Sequence, residues 1–296
     1  DSVYWNGQDS VGKAYGHAIY TDTLNKNKFI GNYALYNDRT GYAEAADSAV
    51  LIDYSQKDTF YAHADSFFLY TYHIDTDSMY RMLHAYHHVR AYRVDLQAVC
   101  DSMVYDGRDS CTTMYKDPIV WQEGQQLLGE MIKAWRNDST LDSVYVINQA
   151  LSVERLDSVH YNQVASKEMH SYFEDGELRL NVADMNVYIN YYPYDDDSLM
   201  IGMNHVESSQ MKMYMHDRKV DKIWLPASTG TMYPLPMIPP DVRFLSNFAW
   251  FDYIRPLNKD DIFNWRAKKP GTELKESVRR EAPRQRLKDV QSKNNK

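Results

Sequence analysis

The sequence predicts an all-β protein whose bent antiparallel strands stack into a trough, and three observations predict it. Val, Ile, Thr and Tyr fill short alternating runs, with 25 Tyr against 9 Phe, and such residues suit a pleated, half-buried surface. Turn signals at Asn37-Asp38, Asp106-Gly107, Asn137-Asp138, Asp175-Gly176 and Asp195-Asp196-Asp197 come too often for helices. A small-residue-Asp-Ser triplet recurs at Ala46-Asp47-Ser48, Ala64-Asp65-Ser66 and Cys100-Asp101-Ser102, its aspartates 18 and then 36 residues apart. One unit and then two units of 18 mark a repeating rung.

At about 3.3 Å per residue a rung of this size is two short strands with their turns. Leu83-His84-Ala85-Tyr86 occupies the intermediate phase, and looser echoes follow at Leu128-Gly129-Glu130-Met131 and Val182-Ala183-Asp184-Met185. Within the rungs the apolar parity flips at the small-residue-Asp pair. Leu96 and Ala98 give way to Met103 and Tyr105, and Leu178, Leu180 and Val182 to Met185, Val187 and Ile189. A flip of this kind reads as a bend or bulge where two strand segments meet. A sheet bent once in every rung folds into a trough, whose alternate apolar residues line either an open furrow or a closed core.

With 296 residues, 44% of them apolar, the chain is long enough for one or two packed domains. No apolar run approaches the roughly 20 residues of a transmembrane helix. The start at Asp1, with neither Met nor a charged-then-apolar leader, is compatible with a removed targeting peptide and decides nothing. Net charge is −8, but residues 258–296 hold 12 Lys/Arg against 6 Asp/Glu, leaving 21 against 35 in residues 1–257. An acidic body disfavours a nucleic-acid partner. The β body, as one or two stacked sub-modules, is placed at 1–235. A Pro/aromatic extension follows at 236–257, opening on PLPMIPP and continuing as FLSNFAWFDYIRPL. The basic tail, 258–296, is expected to be partly disordered, and only its residues 273–291 read as helical, interrupted by Pro283.

The chemistry-bearing residues point to binding rather than catalysis. Cys100 and Cys111 flank the Asp106-Gly107 turn, and a disulfide between them is expected if the register brings their Cα atoms close, two free buried thiols being the alternative. His84, His87 and His88 read as ordinary strand positions, and no metal or cofactor is expected. G-x-S-x-G, P-loop and G-x-G-x-x-G motifs are absent from the sequence, and its aspartates sit in turn-like settings, so no catalytic residue is assigned. Two rival readings stay open: a surface carbohydrate-binding or adhesive β-solenoid, suggested by the rung and the Tyr content, and a β-helical hydrolase using scattered aspartates.

The stretch from Val94 to Val146 resembles the organic solvent tolerance family (OstA/LptA). That family comprises a periplasmic lipopolysaccharide transport protein and the N-terminal domain of the outer-membrane translocon. The likeness rests on Cys100-Asp101-Ser102-Met103-Val104-Tyr105, then Ile119-Val120-Trp121, then Leu127-Leu128-Gly129-Glu130 leading into Met131-Ile132. MYMHDRKVDKIWLPASTGTMYPL, 213–235, is similar to a stretch in longer Bacteroidetes-type members. Where the family has Gly-Asn, this chain has Lys116-Asp117-Pro118, so local pairing must differ there.

The resemblance implies a V-shaped β-jellyroll (β-taco) of stacked antiparallel strands with an apolar groove for lipopolysaccharide or a related amphiphile. It further implies a periplasmic setting, associated with the outer membrane, and edge-strand contacts with other jellyroll proteins or with further copies of the chain, making a bridge between the membranes. By parity, the groove is expected to be lined by Phe67, Leu69, Leu96, Ala98, Met103, Tyr105, Leu128, Ile132, Leu178, Leu180, Val182, Met185 and Val187.

Overall fold

The computed structural model describes residues 2–137, 140–272 and 274, and among these it contains strands and short 3₁₀ turns only. The strands are β1 (Ser2–Asn6), β2 (Val11–Asp22), β3 (Asn27–Asn37), β4 (Tyr42–Asp53), β5 (Phe60–Tyr72), β6 (Tyr80–Arg93), β7 (Leu96–Asp106), β8 (Cys111–Tyr115) and β9 (Ile119–Gln122). They continue as β10 (Gln125–Leu128), β11 (Met131–Arg136), β12 (Leu141–Arg155), β13 (Tyr161–Glu174), β14 (Glu177–Tyr191), β15 (Gly202–His216), β16 (Lys219–Trp224) and β17 (Thr229–Pro234). All pair antiparallel in one continuous meander. The last strand ends at Pro234.

Each long strand is broken near its middle by a register shift, and these central shifts line up from strand to strand; further shifts fall nearer the ends, at Trp135/Arg136, Tyr172/Phe173 and Tyr214/Met215. The central shifts divide the sheet into two arms. Arm A holds residues such as 42–46, 66–72 and 80–86, and arm B holds 49–53, 60–64 and 89–93. Phe29 of arm B meets Phe67 of arm A with ring centroids 6.2 Å apart, so the arms fold face to face about the seam. One buried cluster draws on both arms, among others Leu51, Ala62 and Val187 from B and Phe67, Met103 and Ile132 from A.

Two kinds of bend alternate along the seam. In β4, β6, β12 and β14 a pair of consecutive residues adopts positive φ: Asp47-Ser48, His87-His88, Asn148-Gln149 and Met185-Asn186; Lys116-Asp117 does so between β8 and β9. Most are short polar residues or His, types that tolerate the left-handed region. The intervening strands bend at a single residue, and several of these are acidic and bind the neighbouring pair. Asp65 lies 2.9 Å from His88, Asp101 3.3 Å from both His87 and Lys116, and Glu130 accepts from Asn148 and Gln149. The recurring Asp is therefore partly a left-handed bend residue, as at Asp47, and partly an anchor for the bend next door, as at Asp65 and Asp101.

The bend type also explains the parity. A one-residue bend flips it, as from Ala64 to Phe67 and from Cys100 to Met103; a two-residue bend keeps it, as from Ala183 to Val187. The bend of β6 falls at His87-His88, not at Leu83-His84-Ala85-Tyr86 as the 18-residue period predicted. Pro118, which has no N–H to give a ladder, lies in the break between β8 and β9. Gly129 at the β10–β11 break is close-packed: a Cβ there would overlap Val146.

Beyond Pro234 the chain does not extend freely. The predicted extension, with residues 258–272 of the predicted tail, runs as a strap across the outer face of arm B. Leu245, Phe251 and Ile254 pack on Ile119, Trp121, Leu128, Leu151 and Val153; each such side chain fully buried contributes about 1.5–3 kcal/mol. A cross-strand row of buried amides holds the strap's main chain. Gln126 donates to the Ala249 carbonyl at 2.8 Å and accepts from the Phe251 amide at 2.8 Å. Gln163 treats Arg243 and Leu245 in the same way, and Asn190 donates to Val242. A buried Gln paired with a backbone at both its ends satisfies polar groups that would otherwise be costly to bury. Except for Leu274, the helix predicted over 273–291 lies outside the described residues.

Candidate functional site

The inner face of the folded sheet is a set of apolar rows made by strand register. In arm A, Ala45, Phe67, Ala85, Met103, Met114, Ile132, Val146 and Met169 are successive cross-strand partners, continued by Ala183 and Met211. In arm B, Phe29, Leu51, Ala62, Ala91, Ala98, Val120 and Leu127 do the same, continued after Ser152 by Val164, Ile189 and Val206. Apart from Ser152, every one of these belongs to or packs against a single apolar cluster. Along its middle the trough is closed, with Phe67, Ile132 and Val187 almost wholly out of solvent. The lining changes character along the stack: alanines dominate β4 to β6, and methionines enter from β7 onward in arm A. Met is unbranched and adaptable, so this part of the interior can repack around a guest at modest cost.

Of the predicted groove residues, Phe67, Leu69, Ala98, Met103, Ile132 and Val187 lie in or against that cluster. Leu96 shares the parity of Ala98 and Cys100, and Tyr105 that of Met103, each nearer the rim; Tyr105 is 36% exposed. Four predictions are corrected. Leu128 faces outward and is covered by the strap, because the single-residue bend at Glu130 flips parity between it and Ile132. Leu180 and Val182 are on the outer face of arm A, because the two-residue bend Met185-Asn186 leaves Asn181 and Ala183 inward with Val187; a second register shift beyond Leu180 returns Leu178 to the side of its partner Phe173, which packs on the inner cluster. Met185 is itself a bend residue, at φ +65° and 42% exposed.

The predicted disulfide is also overturned: Cys100 and Cys111 are free and buried. Cys111 is the register partner of Asp106, six positions beyond Cys100 along β7, and at about 3.3 Å per residue that separation far exceeds disulfide reach. Burial pushes both thiols up, away from the reactive thiolate.

The outer face of arm A carries an aromatic stripe. Tyr42 and Tyr70 centroids are 5.4 Å apart, Tyr70 and His84 5.2 Å, and His170 stacks on Tyr172 at 4.3 Å. The Tyr145 hydroxyl donates to Glu168, and that bond, with burial, pushes it up to about 12. The strap and its amide row escaped sequence reasoning. Their signal was present in Ile119-Val120-Trp121 and Leu127-Leu128, where consecutive apolar residues require cover on both faces of arm B.

Ionisation gives the fold a stability that declines in acid. His63, His84 and His170 are shifted below the usual imidazole value of 6.5, chiefly by burial. Below about pH 6.5 the unfolded chain therefore binds more protons than the folded one, and stability falls with pH. For Asp22, Asp95, Asp101 and Asp261 burial acts upward, but hydrogen bonds outweigh it and hold each below 3.8. The His160 hydrogen bond leads in bringing Asp157 to about 2. Their contribution is complete above 3.8 and lost as pH falls through the folded values. Calorimetry from neutral to acidic pH should show the melting temperature dropping in two stages, below about 6.5 and again below about 4; a rise between neutral pH and 5 would contradict these assignments.

No family model matches the chain, and no curated protein matches it in sequence.

Proposed function

We propose that the chain is a periplasmic lipid-carrier module that takes the acyl chains of lipopolysaccharide, or of a related amphiphile, between the arms of its folded sheet. One observation carries the reading: the inner apolar rows run through successive strands over most of the stack, unbroken in arm A and interrupted only at Ser152 among the arm B positions named, and their Met-rich part can adapt to a guest. Each CH₂ moved from water into such an interior contributes about 0.8 kcal/mol, while the sugar stays in solvent. Transfer is passive, and direction comes from an energy source elsewhere. At the ends of the stack, β1 pairs only with Val11–Tyr15 of β2, leaving the Ala18–Asp22 half as an edge, and β16 and β17 close the other end. These edges are where neighbouring jellyroll proteins, or further copies of the chain, would join in a bridge associated with the outer membrane.

Photocrosslinking in cells tests the reading. Probes at Met103 and Ile132 should capture lipopolysaccharide, whereas probes at Leu180 and Val182, on the outer face, should not. Capture confined to the outer positions would refute the inner-face site. A second reading, glycan binding or adhesion, is favoured by the aromatic stripe of arm A; glycan-array binding abolished at Tyr42 and Tyr70, with no lipid captured, would replace the first.

A further inference from the structure

On the strap, at the far side of arm B from the inner face, three guanidinium groups gather around an open cleft of about 670 Å³. Arg155 comes from the end of β12, and Arg255 and Arg266 from the strap. Arg266 is committed to the buried Asp261, with Nη1 at 2.9 Å. The other two share Asp252, at 3.7 and 3.8 Å, ion pairs too long to be hydrogen bonds. Two cations therefore face one carboxylate, in a body whose residues 1–257 hold 21 basic against 35 acidic side chains. The cleft is a local positive site on an acidic protein.

The groups around it are held in place. Arg255 donates from Nε to Gln97 Oε1 at 2.7 Å, and Gln97 is only 2% exposed, so the fork of Arg255 is set before any ligand arrives. Two aromatic rings supply a wall. Trp250 lies under the Arg155 guanidinium, 5.8 Å from its ring centroid, and Tyr253, 40% exposed, has its hydroxyl fixed by the Lys269 amide at 2.9 Å. Guanidinium forks match phosphate oxygens, a carboxylate accepts from hydroxyl groups, and ring faces pack on the apolar face of a pyranose.

We infer that this cleft binds a phosphorylated sugar, with the phosphate between Arg155 and Arg255, sugar hydroxyls donating to Asp252 and the pyranose against Trp250 and Tyr253. The inference is independent of the carrier reading, because cleft and furrow lie on opposite faces of arm B. Calorimetric titration of the full chain with glucose 1-phosphate and N-acetylglucosamine 1-phosphate, against the parent sugars and inorganic phosphate, tests it. At least one sugar phosphate should bind about tenfold or more tighter than its parent sugar and than phosphate. Arg155→Gln, at a half-exposed position, should weaken that binding about tenfold with an unchanged melting temperature, and Tyr253→Ala should weaken it while leaving phosphate binding as it was. Tighter binding of the same phosphosugar carried on a short acyl chain would assign the ligand to a lipid headgroup, and equal binding to a free sugar phosphate. No binding of either sugar phosphate, binding no tighter than that of phosphate, or binding indifferent to Arg155→Gln would overturn the inference.

Discussion

Replacing Arg90 with methionine should cost about 3–5 kcal/mol and release the distal half of the strap. The Arg90 side chain has no solvent exposure, donates to the Ile254 carbonyl at 2.9 Å and lies 3.6 Å from Asp261. Burial pulls its guanidinium down to about 10, against the opposing attraction of Asp261, so it remains charged at neutral pH. Methionine would leave the Ile254 carbonyl unpaired in the interior and Asp261 with one cation fewer. Because Arg266 still holds Asp261, the loss should sit toward the lower end of that range. Urea unfolding measures it, and proteolysis between residues 255 and 266 should accelerate. A variant as stable and as protected as the parent would show that the strap is held by its apolar contacts alone.

Truncating Phe67 to alanine should cost a similar amount, about 3–5 kcal/mol, for a different reason. Phe67 is 1% exposed, partners Ala45 and Ala85 across the strands, and meets Phe29 from the other arm. The neighbouring alanines have no spare length to refill the space, so a cavity remains between the arms. Leu180→Ala, on the outer face of arm A, should cost about 1 kcal/mol or less. Equal losses at the two positions in denaturant unfolding would place Leu180 inside and undo the assignment of faces.

The difference between Phe67 and Leu180 marks the limit of what alternation reveals. The period-2 pattern was enough to identify strands, their turns and a bend in each rung, because side-chain direction along a strand is a local property. It was correct for Phe67, Met103 and Val187. It failed at Leu128 and at Leu180 and Val182, because the face beyond a bend depends on whether one or two residues enter it. That number is settled by the neighbouring strand's register: Asp101 stands alone opposite His87-His88, and Met185-Asn186 form a pair. The two cysteines show the same limit. Eleven positions apart across a Asp-Gly turn, they suggested a staple, yet the hairpin register sets Cys111 beside Asp106.

The sequence by itself determined an all-β chain, the recurring bends and the separation of acidic from basic segments. These follow from composition and from contacts close in sequence. Only the tertiary structure decided that the two arms close on each other, that β6 bends at His87-His88, and that the strap lies in a row of buried amides. Gln97, Gln126, Gln163 and Asn190 are tens of residues apart in the chain and look like isolated polar residues within strands. They become one row because antiparallel register makes neighbours of positions distant in sequence, and they can be buried because the strap satisfies them, with its backbone at Gln126, Gln163 and Asn190 and with the Arg255 side chain at Gln97.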